Sequence, residues 1–286
     1  MSMTPREIVA DIQQLVSLPD VCFRINELVE DPFVSVAEIS ELISQDPGLS
    51  AQLLKIANSP YYGFPSRIET VSRALMVVGT KEVRDMVLAT TIVNSFASYQ
   101  SSAFDMEQFW HHSFMTGLAA RHLSAHAKTP ILHRDRLFIG GLLHNIGQLV
   151  MAMRIEEMVR NVPAKVANGS DEILDVEKLV VDVDHAEVGA ELMRGWSLPD
   201  SLAEIAQFHH HPTQSENNKL DVAIVHIAAS AVSREIAEDS PYFTQTTIDE
   251  EAWDLTGLNM DRVGESLEKV LSEYLGIESA FLGVTP

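Results

Sequence analysis

The residue type in this sequence best suited to chemistry is histidine. Five histidines lie on or beside segments with helical periodicity, and long stretches of chain separate most of them: His112, His144, His185, His209 and His210. Neutral imidazole is a common metal ligand, and helical bundles build metal sites from side chains that project from facing helices into a shared core. A bundle could therefore bring these histidines together, although each one alone is more typical of an ordinary buried or surface imidazole.

The other histidines have surroundings that favour ordinary roles. Three of them lie among basic residues, as is typical of a solvated polar surface: His122, His126 and His133. His226 is flanked by valine and isoleucine, so we predict that it lies at the edge of the core. The sequence contains no phosphate-binding glycine loop and no G-x-S-x-G motif, and its single cysteine, Cys22, is predicted to be a small core residue.

The elements that must position the histidines are predicted to be helices. Capping residues and proline breaks divide the chain into helix-sized segments, the first of which begins with a capping box at Thr4 and Glu7. Apolar residues recur at helical spacing in most segments, and no sustained alternation of polar and β-branched residues predicts a strand. The predicted fold class is all-α, with two helical halves.

Four short blocks around the histidines resemble the signature of the HD superfamily of metal-dependent phosphohydrolases. Residues 140–147 (GGLLHNIG) are similar to its G-L-L-H-D-I-G block, with Asn145 in the place of the aspartate. The W-x-H-S, D-H-x-x-x-G-A and I-x-x-x-H-H-x-P blocks are matched within residues 109–113, 184–190 and 205–212. The resemblance implies that the second half of the chain is an HD-like helical bundle.

The N-terminal half makes the resemblance more specific. Residues 18–19 (LP), 43–49 (ISQDPGL) and 54–60 (LKIANSP) are similar to blocks of the HDOD family, in which a helical region with D-P-x-L and A-N-S motifs precedes the HD-like half. We accordingly predict an N-terminal helical subdomain, an HD-like bundle and an acidic C-terminal helical extension, in that order: residues 1–100, 101–236 and 237–286.

By the same resemblance, the metal-ligand positions of an HD hydrolase correspond to six residues of this chain: His112, His144, Asn145, His185, His209 and His210. Two of the expected carboxylates are missing. Asn145 is a neutral amide that cannot bridge two metal ions as an aspartate would, and the position of the last acidic ligand corresponds to Ala229. A mainly imidazole site suits an ion such as zinc or nickel better than magnesium. The histidines either still bind a divalent metal ion or are relics that hydrogen-bond to one another.

The resemblance also implies a function. HDOD proteins are bacterial signalling modules, most of which have no established enzymatic activity. We therefore predict a regulatory output protein without robust catalysis, which acts through a signalling protein partner or a ligand, and we assign no catalytic residue. The alternative hypothesis is a metal-dependent phosphohydrolase that acts on a nucleotide or phosphoester, with the surviving histidines as its metal ligands.

The charge of the chain excludes some partners. The 286 residues include 41 acidic and 20 basic side chains, a formal net charge of −21, which disfavours binding to nucleic acid and to anionic membranes. No secretory signal and no apolar segment of membrane-spanning length is recognisable, so we expect a cytoplasmic protein. The acidic extension at residues 237–286 is either a docking surface or a solvated helical cap.

Overall fold

The computed structural model describes residues 3–15, 18–96, 99, 104–129, 134–154, 173–236 and 247–282. Within these ranges the protein is helical and contains no β-strand, which confirms the predicted all-α class. The α-helices are α1 (Pro5–Leu15), α2 (Asp20–Glu30), α3 (Val36–Ser44), α4 (Pro47–Ala57), α5 (Val71–Val78), α6 (Thr80–Phe96), α7 (Met106–Leu123), α8 (Arg134–Leu143), α9 (Ile146–Arg154), α10 (Ile173–Val181), α11 (His185–Gly195), α12 (Asp200–Phe208), α13 (Lys219–Ile236), α14 (Glu250–Thr256) and α15 (Met260–Leu282). None of the described helices is both long and apolar enough to cross a membrane.

The chain forms two compact units. The larger unit contains residues 1–17 and 99–267, and the smaller unit contains residues 18–98 and 268–286. The first helix thus groups with the larger unit, unlike residues 18–98 of the predicted range 1–100. The reason is packing, since α1 contacts α9 and α11 and its Ile8 and Val9 are buried. The range 237–286 is also divided, because α14 packs on α13 of the larger unit whereas residues after 267 belong to the smaller one.

The larger unit is centred on α7, which packs against α8 and α13. Two glycines bring α7 and α8 unusually close. A Cβ added to Gly141 of α8 would lie 2.6 Å from Cα of Gly117, and a Cβ added to Gly117 would lie 2.6 Å from the carbonyl oxygen of Phe138. A side chain at either position would force the helices apart. This contact matters for the site, because His112 lies on α7 and His144 directly follows α8.

A second close approach joins α9 to α11. A Cβ added to Gly147 would lie 1.9 Å from the carbonyl oxygen of His185 and 2.7 Å from the amide nitrogen of Gly189. These are backbone atoms of a packed helix, so they cannot move aside as the end of a flexible side chain could. The glycines of the 140–147 block therefore set the distances between the helices that carry the histidines.

The smaller unit contains α2 to α6, in which α2 packs on α3 and α6, and α5 packs on α3, α4 and α6. Cys22 of α2 is fully buried, as predicted for a small core residue. Two charged side chains of α6, Arg84 and Asp85, are also buried. The guanidinium of Arg84 lies 2.8 Å from a carboxylate oxygen of Asp85 and 2.6 Å from one of Glu30, so the buried charge is compensated by partners of opposite sign.

Candidate metal centre

Five histidine rings form a continuous group inside the larger unit. Ring centroids are 5.3 Å apart for His112 and His144, 4.9 Å for His144 and His209, and 5.4 Å for His209 and His185. His210 completes the group, at 4.2 Å from His209 and 5.0 Å from His185. All five predicted histidines therefore meet, although they are distributed over residues 112–210 of the sequence. We call them the histidine cluster.

The histidines predicted to lie at the surface are not part of the cluster. His126 is exposed and His122 is partly exposed, as expected for a polar surface. His133 lies outside the described residues, so its predicted position stays a prediction.

Helix ends position most of the cluster. His144 lies in the turn between α8 and α9, His185 is the first residue of α11, and His209 and His210 directly follow α12, whereas His112 lies within α7. A helix end fixes the direction of its side chains while leaving them room to converge with those of other helices. The arrangement thus combines three helix ends with one position inside a helix.

A capping box holds His185 in place. The side chain of Asp184 accepts a hydrogen bond from the amide of Glu187 at 2.8 Å, and the side chain of Glu187 accepts one from the amide of Asp184 at 3.2 Å. Such reciprocal bonds satisfy the first amides of a helix and define its starting residue. The sequence D-H-A-E at residues 184–187 therefore forces His185 into the first turn of α11.

Three imidazole nitrogens of the cluster converge on one point. Nε2 of His185 lies 3.4 Å from Nε2 of His209 and 3.1 Å from Nε2 of His210. Among the residues that the structure describes, these three histidines are the one group of three or more ligand atoms close enough to share a metal ion, with all atoms within 4.8 Å of one another. The cluster therefore has a compact centre formed by His185, His209 and His210.

Hydrogen bonds on the opposite side of each ring determine which nitrogen is available. Nδ1 of His209 lies 2.8 Å from the carbonyl oxygen of Ala206, and Nδ1 of His185 lies 2.7 Å from a carboxylate oxygen of Glu177. Both oxygens can only accept, so each Nδ1 carries the proton. When these rings are neutral, each Nε2 therefore has a lone pair directed away from its partner. Metal-ligating histidines are oriented in this way by a carbonyl or carboxylate.

The convergent nitrogens fit a small divalent ion. Zinc binds imidazole nitrogen at about 2.0–2.1 Å, which places two tetrahedral ligands roughly 3.4 Å from each other. The Nε2 separations of 3.1 and 3.4 Å around His185 agree with this spacing. A set of three imidazoles is typical of zinc, copper or nickel rather than of magnesium, which prefers oxygen ligands.

Burial keeps most of the cluster neutral. Desolvation lowers the pKa of His144 to about 3, and it lowers the pKa of His112, His209 and His210 as well, with neighbouring imidazoles acting in the same direction. His185 differs. Burial also acts to lower its pKa, but the charge of Glu177 and the hydrogen bond that Nδ1 of His185 donates to the Glu177 carboxylate outweigh burial and raise the pKa. A protonated His185 can donate from Nε2 to His210 in the absence of a metal, which is the geometry expected of the relic alternative.

The lowered pKa values predict that metal-free protein loses stability in mild acid. Below pH 6.5 the unfolded chain binds protons that the folded histidines do not bind, so the free energy of unfolding falls as pH decreases. His144 alone should remove about 1.4 kcal/mol between about pH 7.5 and about 5.5. His185 acts in the opposite sense, because its raised pKa contributes stability below pH 6.5 that is lost at higher pH. Urea unfolding of chelator-treated protein at the two pH values measures the net effect, and a His144→Gln variant should show a smaller pH dependence.

The remaining predicted positions lie beside the three convergent nitrogens. Oδ1 of Asn145 is buried and has no hydrogen-bond partner among the described residues. Nε2 of His112 lies 3.0 Å from the hydroxyl of Ser233, and the ring also contacts the backbone of Ala229. The part of α13 that faces His112 thus presents the backbone of Ala229 and the hydroxyl of Ser233, where the resemblance to an HD hydrolase would place an acidic ligand.

Comparison with known proteins assigns the fold to a family. The HDOD domain family matches residues 15–212 of this chain. The chain belongs to the HDOD family. This confirms the resemblance inferred from the D-P-x-L, A-N-S and histidine blocks.

This HDOD protein is similar in sequence to one curated protein and in fold to several solved structures. An uncharacterised protein of Treponema pallidum (strain Nichols) is 30% identical over 241 residues, which are 81% of this chain and 44% of the relative. The chain therefore spans less than half of that relative. The structure of a candidate phosphohydrolase from Shewanella amazonensis SB2B has a TM-score of 0.73 at 24% identity, covering 96% of this chain and 97% of that one. A candidate signal transduction protein from Marinobacter aquaeolei VT8 has a TM-score of 0.70 at 18% identity, covering 98% of this chain and 61% of that one.

The HDOD protein contains site residues that sequence reasoning missed. Glu177 is buried and accepts hydrogen bonds from both the backbone amide and Nδ1 of His185, at 2.8 and 2.7 Å. A carboxylate behind a metal-ligating histidine is a common arrangement, but no spacing rule selects Glu177 from the 41 acidic residues. Ser233 was missed for a similar reason, because serines are frequent and only the packing of α13 on α7 brings this one to His112.

His226 connects the cluster to the C-terminal segment of the larger unit. Its Nδ1 lies 2.7 Å from the carbonyl oxygen of His209, and its Nε2 accepts a hydrogen bond from the amide of Asp249 at 3.0 Å. The residue is buried, with 4% of its surface exposed, as expected near the core edge. One imidazole thus joins the backbone of a predicted metal ligand to the residue that caps α14.

Replacing His226 with leucine should loosen the segment that contains α14. The change leaves the His209 carbonyl and the Asp249 amide without their partner, and an unsatisfied buried group costs about 1–3 kcal/mol. Hydrogen–deuterium exchange of residues 249–256 should accelerate relative to the wild type, while exchange in α2 to α6 should not change. Equal exchange at 249–256 in both proteins would show that His226 does not hold this segment.

Proposed function

We propose that this HDOD protein is a non-hydrolytic signalling module whose histidine cluster binds one divalent ion of the zinc or nickel class. The observation that supports the proposal is the donor set. The convergent atoms are Nε2 of His185, His209 and His210, and none of them is a carboxylate oxygen. The carboxylate of Glu177 accepts hydrogen bonds from the backbone amide and from Nδ1 of His185, and not from the convergent Nε2.

The missing carboxylates argue against phosphoester hydrolysis. A divalent ion acts as a Lewis acid and lowers the pKa of a water, and HD hydrolases are expected to hold such ions with aspartates as well as histidines. Here Asn145 supplies a neutral carbonyl oxygen, and Ala229 with Ser233 stands beside His112. The chain's own residues can orient three imidazoles and exclude water by burial, but they do not supply the negative charge that holds a second ion.

Signalling by such a module would rest on contact with other molecules. The net charge of −21 and the acidic residues 237–286 favour a protein partner with a basic surface over nucleic acid. In the larger unit, His226 connects the cluster to the segment that contains α14. A metal ion bound at the cluster would therefore affect, through His226, the position of an acidic segment to which a partner could bind.

One observation favours the alternative hypothesis of a phosphohydrolase. Three imidazole ligands leave one position of a tetrahedral ion open, as in catalytic zinc sites. Asn145 directly follows His144, a member of the histidine cluster. Its Oδ1 is buried and has no hydrogen-bond partner in the described part of the chain. Such a site could accept a substrate if the remaining charge were sufficient.

A hydrolysis assay separates the two hypotheses. We expect the wild type and His144→Ala to show the same background rate with bis(p-nitrophenyl) phosphate and with nucleotides, in the presence of manganese, zinc or nickel. Metal-dependent turnover that disappears in His144→Ala would overturn the proposal and support the phosphohydrolase. In that case Asn145→Asp should increase the rate, because it restores the missing carboxylate charge.

A further inference from the structure

A groove in the smaller unit is separate from the histidine cluster. It lies between the second half of α4 and the loop that follows it, and its volume is about 960 Å³. Ligand sites usually measure about 300–1,000 Å³, so the groove is large enough for a small organic molecule. The residues that matter most for its chemistry are Lys55, Asn58, Phe64, Arg67 and Glu69.

Asn58 holds the loop wall of the groove in place. Its amide nitrogen donates to the carbonyl oxygens of Leu54 at 2.7 Å and Ile68 at 2.8 Å, and its amide oxygen accepts from the backbone N–H of Ile68 at 2.8 Å. Asn58 is the asparagine of the A-N-S motif, and it is not part of the candidate metal centre. One side chain thus ties the end of α4 to a residue ten positions later, across a segment without a helix. A wall that is fixed in advance reduces the entropy lost when a ligand binds.

The two walls carry cations. Lys55 lies on α4 and Arg67 on the loop, and both side chains are exposed at the groove. The guanidinium of Arg67 makes no hydrogen bond or ion pair with any residue that the structure describes. Glu69 adds one carboxylate, so the groove has a net positive charge in a protein whose formal net charge is −21. Paired lysine and arginine side chains are suited to a phosphate group.

The groove also has an aromatic surface. The ring of Phe64 stacks on the ring of Tyr62, with centroids 5.7 Å apart and planes at 1°, so Tyr62 supports one face of Phe64. A planar base can stack on an aromatic ring, and such stacking stabilises bound bases in proteins that bind nucleic acids. The carboxylate of Glu69 can accept hydrogen bonds from a sugar hydroxyl or a base amine.

We infer that this groove binds a nucleoside phosphate, with its phosphates at Lys55 and Arg67 and its base on Phe64. The function is additional to the metal centre and does not depend on it. An isolated phosphate would not use the aromatic ring, and a nucleoside without phosphate would not use the two cations. Both parts of the ligand are therefore needed for full affinity.

Calorimetric titration of the full chain with ADP, pyrophosphate and adenosine tests the inference. We expect ADP to bind more tightly than either of the other two probes. Arg67→Ala and Lys55→Ala should each weaken ADP binding about tenfold, as expected for the loss of one charge-assisted contact. Arg73→Ala is the matched control, because Arg73 is an exposed cation on α5 of the same unit that does not line the groove. It should leave the affinity for ADP unchanged.

Several outcomes would overturn the inference. They are the absence of ADP binding, equal ADP affinity in Arg67→Ala and the wild type, or an equal loss in Arg67→Ala and Arg73→Ala. Pyrophosphate binding as tight as that of ADP would show that no base binds on Phe64. ADP binding that is lost in His185→Ala and kept in Arg67→Ala would assign the nucleotide to the metal centre. Because Arg67 and Lys55 are exposed, their replacement should not disturb folding, which the unfolding midpoint of each variant checks.

Discussion

Replacing Gly147 with alanine should destabilise the protein by about 3 kcal/mol or more, the upper range for overpacking a core. The added methyl carbon would lie 1.9 Å from the carbonyl oxygen of His185 and 2.7 Å from the amide of Gly189. Both are backbone atoms in α11, so α9 and α11 would have to separate. Separation would also displace His185 from the other convergent nitrogens. The urea or thermal unfolding midpoint measures the first effect.

Gly264→Ala is the control for this prediction. Gly264 is exposed in α15 and has nothing within 4 Å of an added Cβ. Alanine there should stabilise the helix by about 0.5–1 kcal/mol, because glycine loses more backbone entropy when it becomes helical. Replacement of glycine by alanine should thus lower the free energy of unfolding at Gly147 and raise it at Gly264. Equal effects on stability would mean that the close approach of α9 and α11 does not constrain Gly147.

Replacing His185 with alanine should abolish stoichiometric zinc binding. Nε2 of His185 lies within 3.4 Å of both other convergent nitrogens, so its removal leaves only two of the three ligands. We expect the affinity for zinc to fall about 100-fold or more, because loss of a residue behind a ligand already costs about 10–100-fold. Glu177→Gln should have that smaller effect, since it weakens the orientation of His185 and keeps the ligand. Competition with a chromogenic chelator measures both.

His211→Ala is the matched control for the metal site. His211 is the neighbour of His210 in the sequence, but it is exposed and does not belong to the convergent group. Its removal should leave the zinc content of purified protein unchanged, as measured by mass spectrometry. A wild type that binds no zinc or nickel, or a His185→Ala variant that binds as much as the wild type, would contradict the metal proposal. The cluster would then be a relic whose rings hydrogen-bond to one another.

Local sequence patterns predict the secondary structure and indicate which histidines are candidate site residues. Helical periodicity and capping residues indicate an all-α protein, and the capping box at Asp184 and Glu187 indeed starts α11. These features depend on residues a few positions apart, so they can be read from the chain directly. The order of the histidine, D-P-x-L and A-N-S blocks is specific enough to indicate the HDOD family from the amino-acid sequence alone.

The partners of the site residues could not be predicted in the same way. Glu177 lies on α10 and Ser233 on α13, and neither is distinguished by its neighbours in the sequence. Their roles follow from the packing of α10 on α11 and of α13 on α7, which brings distant residues within hydrogen-bond distance. The grouping of α1 with the larger unit is of the same kind, because an apolar helix face does not specify which other helices will cover it.

The sequence by itself determined that this protein is helical, that it belongs with the HDOD proteins, and that its candidate metal ligands are imidazoles, with Asn145 in place of an acid. Only the tertiary structure decided that His185, His209 and His210 direct three nitrogens to one point. It also decided that Glu177 orients one of them and that Asn58 braces a groove in the other unit. The physical reason is that residue types and helix ends are local properties, whereas convergence depends on how closely helices pack, and here glycines set that distance.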